Sequence, residues 1–262
     1  MSDDIYNNEF YDLQSKESYE SALVVLALLK KKLGERIPLD SVVDFGCGVG
    51  SWLSAAKEVG FNKVCGTDGE YVPKDRLMID EEEFFSNDLS RPHLLKLPES
   101  RYNLAMSLEV AEHLPETSAA NFVALLCSVS DIVLFSAAIP YQGGHGHVNE
   151  NWMEYWAAHF QDHDFYPVDL LRADIWNDER VCWWYKQNCM VFVSKKLLRL
   201  LPTNTQINPP LSIIHPEQLL VCEHRANKHE TSSLGGDRWY YRQLMSRAKV
   251  LPKAYGKEHS ID

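Results

Sequence analysis

The chain has 262 residues, 45% of them apolar, enough for one generous α/β domain with a buried core, and this excludes an intrinsically disordered protein. Its 26 Lys+Arg against 37 Asp+Glu leave a formal charge of −11, which argues against a protein whose main task is to grip phosphate backbones. The longest early apolar run, Ala22 to Leu29, is far below the roughly 18–20 residues that cross a bilayer, and MSDDIYNNEF lacks the basic start and apolar stretch of a signal peptide, so a cytoplasmic protein is expected.

Ser18-Tyr19-Glu20-Ser21 leads into Ala22–Leu29 and then Lys30-Lys31-Lys32, which reads as a helix with a basic C-terminal end and Gly34 as its stop. Ser41–Phe45 is a strand entering a glycine cluster, followed by a helical pattern from Trp52 to Val59 that stops at Gly60. Lys63–Thr67 is a second strand ending at Asp68, and Phe84–Asn87 marks a third. The unit repeats with a strand at Tyr102–Ser107, a helix over Ser118–Ser128 and a buried strand at Asp131–Ile139. A helix from Asn149 to Phe160 and strands near Tyr166–Leu171 and Cys189–Val193 complete the pattern, the last two read as an antiparallel hairpin because the segment between them shows no good helix. Alternation of strands and helices implies a parallel sheet covered on both faces. From Leu201 the sequence turns polar, with PTNTQINPP and a further helix expected around Trp239–Lys249. The six cysteines are scattered without a CxxC pair, so reduced core thiols are expected rather than a zinc site or disulfide framework.

In VVDFGCGVG, three glycines lie between a strand and a helix, where residues lacking Cβ let a ligand approach the backbone. The spacing is G-x-G-x-G, and Ser51 stands where a dinucleotide fingerprint has its last small residue, which weakens a pyrophosphate reading. Asp68 ends the second strand, placed to accept two hydrogen bonds from a ribose diol, and Asp88 can meet an adenine amino group.

After the strand YNLAMS comes Leu108-Glu109-Val110-Ala111-Glu112-His113, at the carboxyl end where open α/β sheets place ligands. Glu109, Glu112 and His113 can aim two carboxylates and an imidazole into one cleft, a donor set that suits Mg²⁺ or Mn²⁺. After the next strand, His145 and His147 alternate in PYQGGHGHVNE, and either can complete a metal shell or act as general base. Trp152, Trp156, Trp176, Trp183, Trp184 and Tyr185 offer flat faces for sugar rings, and Arg172, Gln187 and Asn188 offer hydrogen bonds to hydroxyls.

Taken in order, these motifs resemble those of the class I S-adenosylmethionine-dependent methyltransferases, over roughly Asp40 to Val193: VVDFGCGVG looks like their first motif, GTDGEY their acidic second and SNDL their adenine-side third. The resemblance implies a Rossmann-like α/β fold with a mostly parallel seven-stranded sheet, a C-terminal antiparallel hairpin and helices on both faces. It also implies a cofactor set of Asp44, Gly46, Gly48, Gly50, Asp68, Gly69, Asp88, Leu89 and Ser107. The E-x-x-E-H and H-x-H clusters resemble those of the small-RNA 3′-end 2′-O-methyltransferases, which implies a divalent ion on Glu109, Glu112, His113 and His147. FSAAIPYQGGHGHVNENWMEYWAAHF and DLLRADIWNDERVCWWYKQN look like methyltransferases of surface-polysaccharide and glycan synthesis, which implies a sugar hydroxyl as acceptor.

The expectation is therefore a metal-assisted O-methyltransferase acting on a sugar or glycan, with His113, His145 and His147 as catalytic candidates and a glycosyltransferase as possible partner. A metal-independent small-molecule O-methyltransferase, an RNA ribose methyltransferase and a non-catalytic cofactor-binding module stay open as alternatives. The division expected is a helical segment over 1–36, the methyltransferase core over 37–198 and a polar extension over 199–262.

Overall fold

The computed structural model describes residues 8–34, 36–202, 205, 207 and 209–230. These fall into two compact units that divide between Ile213 and Ile214. The helix expected around Trp239–Lys249 lies outside the described residues.

The first unit is built on α1 (Asn8–Leu33), β1 (Ser41–Phe45), α2 (Ser51–Glu58), β2 (Lys63–Asp68), β3 (Phe84–Ser86), β4 (Leu104–Leu108), α3 (Ala119–Val129), β5 (Ile132–Ser136), α4 (Met153–Gln161), β6 (Phe165–Val168), α5 (Arg172–Ile175), α6 (Trp183–Asn188) and β7 (Met190–Ser194). The seven strands form one sheet in the order β3-β2-β1-β4-β5-β7-β6. All neighbours are parallel except β7, which runs antiparallel to both β5 and β6. The Rossmann-like expectation holds. The hairpin does not have the helix-free connection expected of it, because α5 and α6 lie between β6 and β7.

Alternation along the strands divides the core into two layers. Val42, Ile132, Leu134, Val191 and Val193 face a layer shared with Ala22, Val25, Leu26, Leu29 and Leu33 of α1 and Leu53 and Ala56 of α2. Val43, Phe45, Val133, Phe135, Met190 and Phe192 face the other, with Phe122, Val123 and Leu126 of α3 and Trp156 and Phe160 of α4. The helical residues recur at three- and four-residue steps, giving each helix one apolar stripe to bury. Phe160 and Phe192 stack at 3.8 Å between ring centroids. All six cysteines are free, and four of them are buried.

The strand order reverses at β1, whose neighbours β2 and β4 lie on opposite sides. The segments leaving β1 and β4 therefore diverge and open a crevice at the carboxyl ends of the strands. In the second unit the only described helix is α7 (Pro216–Glu230), which was not expected from the sequence although proline at the first helical position is a start signal. Among the described residues no helix is long and apolar enough to cross a membrane.

Candidate active site

Three chain segments meet at the crevice: the turn after β1, the turn after β4 and the long loop after β5. In the first, Gly46, Gly48 and Gly50 all have positive φ, at 86°, 52° and 88°. A Cβ on Gly46 would lie 2.3 Å from Val110 Cγ2, so the turns after β1 and β4 touch at a point where no side chain fits. At Gly48 a Cβ would meet nothing within 4 Å. The Gly48 amide donates to Asp68 Oδ2 at 2.7 Å, tying the glycine turn to the acid that ends β2. Asp68 Oδ1 accepts from the Gly69 amide at 2.7 Å and from the Tyr71 hydroxyl at 2.5 Å. Tyr71, 80% exposed, thus lies on the carboxylate expected to bind a ribose, a contact three residues along that sequence reasoning missed.

A cleft of about 1120 Å³ is lined by Gly46, Asp68, Gly69, Tyr71, Asp88, Leu89, Glu109, Val110, His113 and His145, with nine further residues. Cofactor-side candidates therefore share one space with Glu109, His113 and His145, whereas Glu112 and His147 do not line it. Asp88 is on its wall, but its Oδ1 is held by the Ser90 amide and hydroxyl at 3.0 and 2.6 Å, and those bonds keep its carboxyl below the usual range. Asp44, Gly48, Gly50 and Ser107 do not line the cleft. Gly50 caps α2 and packs against Ile79, while Ser107 is buried with its hydroxyl lacking a hydrogen-bond partner among the described residues. Asp44 is buried on β1, where desolvation, helped by the charge of Asp68, raises its carboxyl to about 7.

The turn after β4 separates the two glutamates that the sequence pattern pairs. Glu109 adopts a left-handed φ of 57°, uncommon outside glycine, and the chain then makes a tight 3-10 turn over Ala111–His113. Glu109 does not join the metal-type cluster. Gln142 Nε2 donates to its Oε2 at 2.6 Å, Asn188 Nδ2 donates to its Oε1 at 3.1 Å, and the Ser136 hydroxyl accepts from its amide at 3.1 Å. Burial raises its carboxyl, and these side-chain bonds oppose the rise.

Glu112 is fully buried, and neither carboxylate oxygen has a hydrogen-bond partner among the described residues. Burial pushes its carboxyl well above the usual range, reinforced by Glu109, while the nearby amides of Glu112 and Ala138 temper the rise. Glu112, His113 and His147 each bring one ligand atom within 4.8 Å of the others. The His113 and His147 rings meet edge to face at 4.8 Å. Burial, and then the neighbouring His147, lower the His113 imidazole, favouring the neutral form that binds metals. An unpartnered buried carboxylate beside two imidazoles is a donor set that fits a divalent ion, because such a carboxylate otherwise carries an unrecovered desolvation cost. His145 is exposed on the cleft wall.

A family model described as a methyltransferase domain matches residues 13–177, which takes in the glycine turn, both acids, the E-x-x-E-H turn and the histidine loop. The chain belongs to that methyltransferase family. Among solved structures it is similar to magnesium protoporphyrin IX methyltransferase from Synechocystis PCC 6803 with bound SAM, at 19% identity and a TM-score of 0.50 over 72% of this chain and 85% of that one. The same enzyme with bound SAH gives 16% identity and a TM-score of 0.50 over 71% and 88%. A SAM-dependent methyltransferase from Archaeoglobus fulgidus gives 20% identity and a TM-score of 0.46 over 61% and 76%. No curated protein matches the chain.

In this methyltransferase five of the residues expected to hold a sugar, Trp156, Arg172, Tyr185, Gln187 and Asn188, are buried, whereas Trp176, Trp183 and Trp184 are partly exposed. Trp156 is buried between the sheet and α3, and the Tyr185 hydroxyl accepts from Trp52 Nε1 at 3.3 Å inside the other layer. Arg172 is buried and clamps Asp169 and the carbonyls of Pro210 and Leu211. Gln187 and Asn188 are buried too, Gln187 Nε2 donating to Asn188 Oδ1 at 3.1 Å and Asn188 Nδ2 donating to Gln142 Oε1 at 2.8 Å. The large exposed side chains near the histidines lie instead on the loop after β5: Tyr141 at 74%, Val148 at 67% and Trp152 at 40%.

Proposed function

We propose that this protein is an S-adenosylmethionine-dependent O-methyltransferase that uses a divalent ion held by Glu112, His113 and His147 and methylates a hydroxyl of a sugar or glycan. The observation that carries the reading is the fully buried Glu112 carboxylate, without a hydrogen-bond partner among the described residues, converging with two imidazoles, of which His113 lines the cleft that Asp68 also lines. The cofactor supplies the electrophilic methyl group; the ion, when bound, lowers the pKa of a coordinated hydroxyl and fixes its orientation.

Asp68, held by the amides of Gly48 and Gly69, presents an oriented carboxylate to the ribose diol. Gly46 and Val110, in contact with each other, both line the cleft. His145, exposed on the cleft wall, accepts the proton that the acceptor hydroxyl loses. Tyr141 and Trp152 offer flat faces to the acceptor ring on the loop that carries both histidines.

The test has two arms. Calorimetry of S-adenosylmethionine and its demethylated product is expected to show binding that Asp68→Ala weakens by at least tenfold and that does not need Mn²⁺. Transfer of labelled methyl groups to sugars carrying vicinal diols is then expected to require Mn²⁺ or Mg²⁺ and to be lost in Glu112→Ala. An absence of cofactor binding refutes the methyltransferase activity; turnover that survives thorough chelation refutes the metal and leaves His113 or His147 as simple bases.

A further inference from the structure

The loop after β5 is held on two sides. The amides of Val148 and Asn149 both donate to the Glu112 carbonyl, at 2.9 and 3.0 Å, zipping the loop onto the E-x-x-E-H turn. On the other side one carboxylate gathers the loop. Glu150 Oε2 accepts from the Tyr141 amide at 3.0 Å, and Oε1 accepts from the Gly143 amide at 2.9 Å and lies 2.8 Å from His147 Nδ1. The segment needs such a tie, since Tyr141 at φ 70°, Gly143 at 67° and Gly146 at 74° all hold left-handed conformations.

The third bond has a chemical consequence. An ionised carboxylate only accepts, so contact at 2.8 Å places the proton of neutral His147 on Nδ1 and leaves the lone pair on Nε2. The ring cannot readily turn away, because it packs on Gly144, where a Cβ would come 2.2 Å from Nε2, and against the His113 ring. A carboxylate behind a histidine is the arrangement that fixes tautomer and orientation in metal sites generally.

We propose that Glu150 is a positioning residue that holds His147 as the Nδ1–H tautomer and so presents its Nε2 lone pair to the site shared with Glu112 and His113. Its consequence for metal affinity rests on the metal reading above, whereas the tautomer itself does not.

The experiment uses the full chain, metal-free and labelled with ¹⁵N at histidine, and reads the His147 tautomer by long-range ¹H–¹⁵N NMR. Wild type is expected to show Nδ1–H, Glu150→Ala to move the population toward Nε2–H, and Glu150→Gln to retain Nδ1–H because an amide oxygen can replace Oε1. Mn²⁺ affinity, followed by electron paramagnetic resonance, is expected to fall about 10–100-fold in Glu150→Ala and only a few-fold in Glu150→Gln, with S-adenosylmethionine affinity unchanged in both. An Nε2–H tautomer in wild type overturns the proposal whether or not either variant folds. A tautomer unmoved in Glu150→Ala overturns it as well, as does a moved tautomer with undiminished Mn²⁺ binding. A wild type that binds no Mn²⁺ removes the metal reading, and the tautomer then decides the part of Glu150 alone.

Discussion

Replacing Glu112 by methionine is expected to make the metal-free protein more stable. Both Glu112 oxygens are buried without a hydrogen-bond partner among the described residues, and the nearby amides of Glu112 and Ala138 recover only part of the hydration they have given up. Leaving such a group unsatisfied costs about 1–3 kcal/mol. Methionine fills a similar volume with an unbranched apolar chain, and the backbone carbonyl that anchors Val148 and Asn149 stays in place. At about 2–4 °C per kcal/mol for a chain of this size, metal-free Glu112→Met should melt about 2–12 °C above metal-free wild type. Metal closes most of this gap or reverses it. Wild type at a hundredfold excess of Mn²⁺ over its dissociation constant gains about 2.7 kcal/mol, and the variant gains nothing. Paired thermal melts with chelator and with Mn²⁺ read both differences. The reasoning is refuted by a metal-free variant that melts below wild type, or by a variant whose melting point Mn²⁺ still raises as far.

Tyr71→Phe removes the hydroxyl that lies on Asp68 Oδ1, and if a ribose must displace it, cofactor binding should tighten by about fivefold, equivalent to the roughly 1 kcal/mol of one net hydrogen bond; calorimetry that finds weaker binding would show the hydroxyl to be part of the occupied site. Gly46→Ala combines a left-handed φ of 86° with a methyl 2.3 Å from Val110 and should cost about 2–5 kcal/mol in urea unfolding, whereas Gly48→Ala, with open space around its Cβ, should cost only the left-handed strain of about 1–2 kcal/mol; equal losses at the two positions would contradict the packing argument. Asp44 in the folded chain titrates near 7 instead of its ordinary 3.8, so the folded state binds the proton more tightly. The stability this contributes is complete below about pH 4 and is lost as pH rises through 7, so Asp44→Asn should match wild type at pH 4 and exceed it by up to ~4 kcal/mol at pH 8. Superimposable unfolding curves at pH 8 would disprove that sign.

The residues whose roles depend on backbone geometry could be read from the sequence. Three glycines between a strand and a helix and an acid at the end of the next strand predict the turn and Asp68, because local sterics and strand alternation decide them. The two glutamates could not be separated, since a spacing of three leaves open which side chain turns inward. That choice is made by the left-handed Glu109 and by Asn188, which is 79 residues away in the chain. Within the aromatic run at Trp183-Trp184-Tyr185, the place of Tyr185 was hidden for a related reason: a ring on α6 looks the same whether it meets a ligand or α2, and it is Tyr185 that meets Trp52. Glu150 carried a signal in its three-residue spacing from His147, yet the amides it also holds are visible only once the loop is closed.

The amide brace formed by Gln142 and Asn188 around Glu109 joins the exits of β4 and β5 to the entry of β7. An engineer who wished to retarget the enzyme would therefore find the loop after β5 divided into fixed and variable positions. Gln142, His147 and Glu150 are anchor points whose loss would disturb the sheet ends or the histidine pair. Tyr141 and Val148 expose their side chains on the same framework, and libraries confined to those two should change the choice of acceptor while leaving His145 and the anchor points in place.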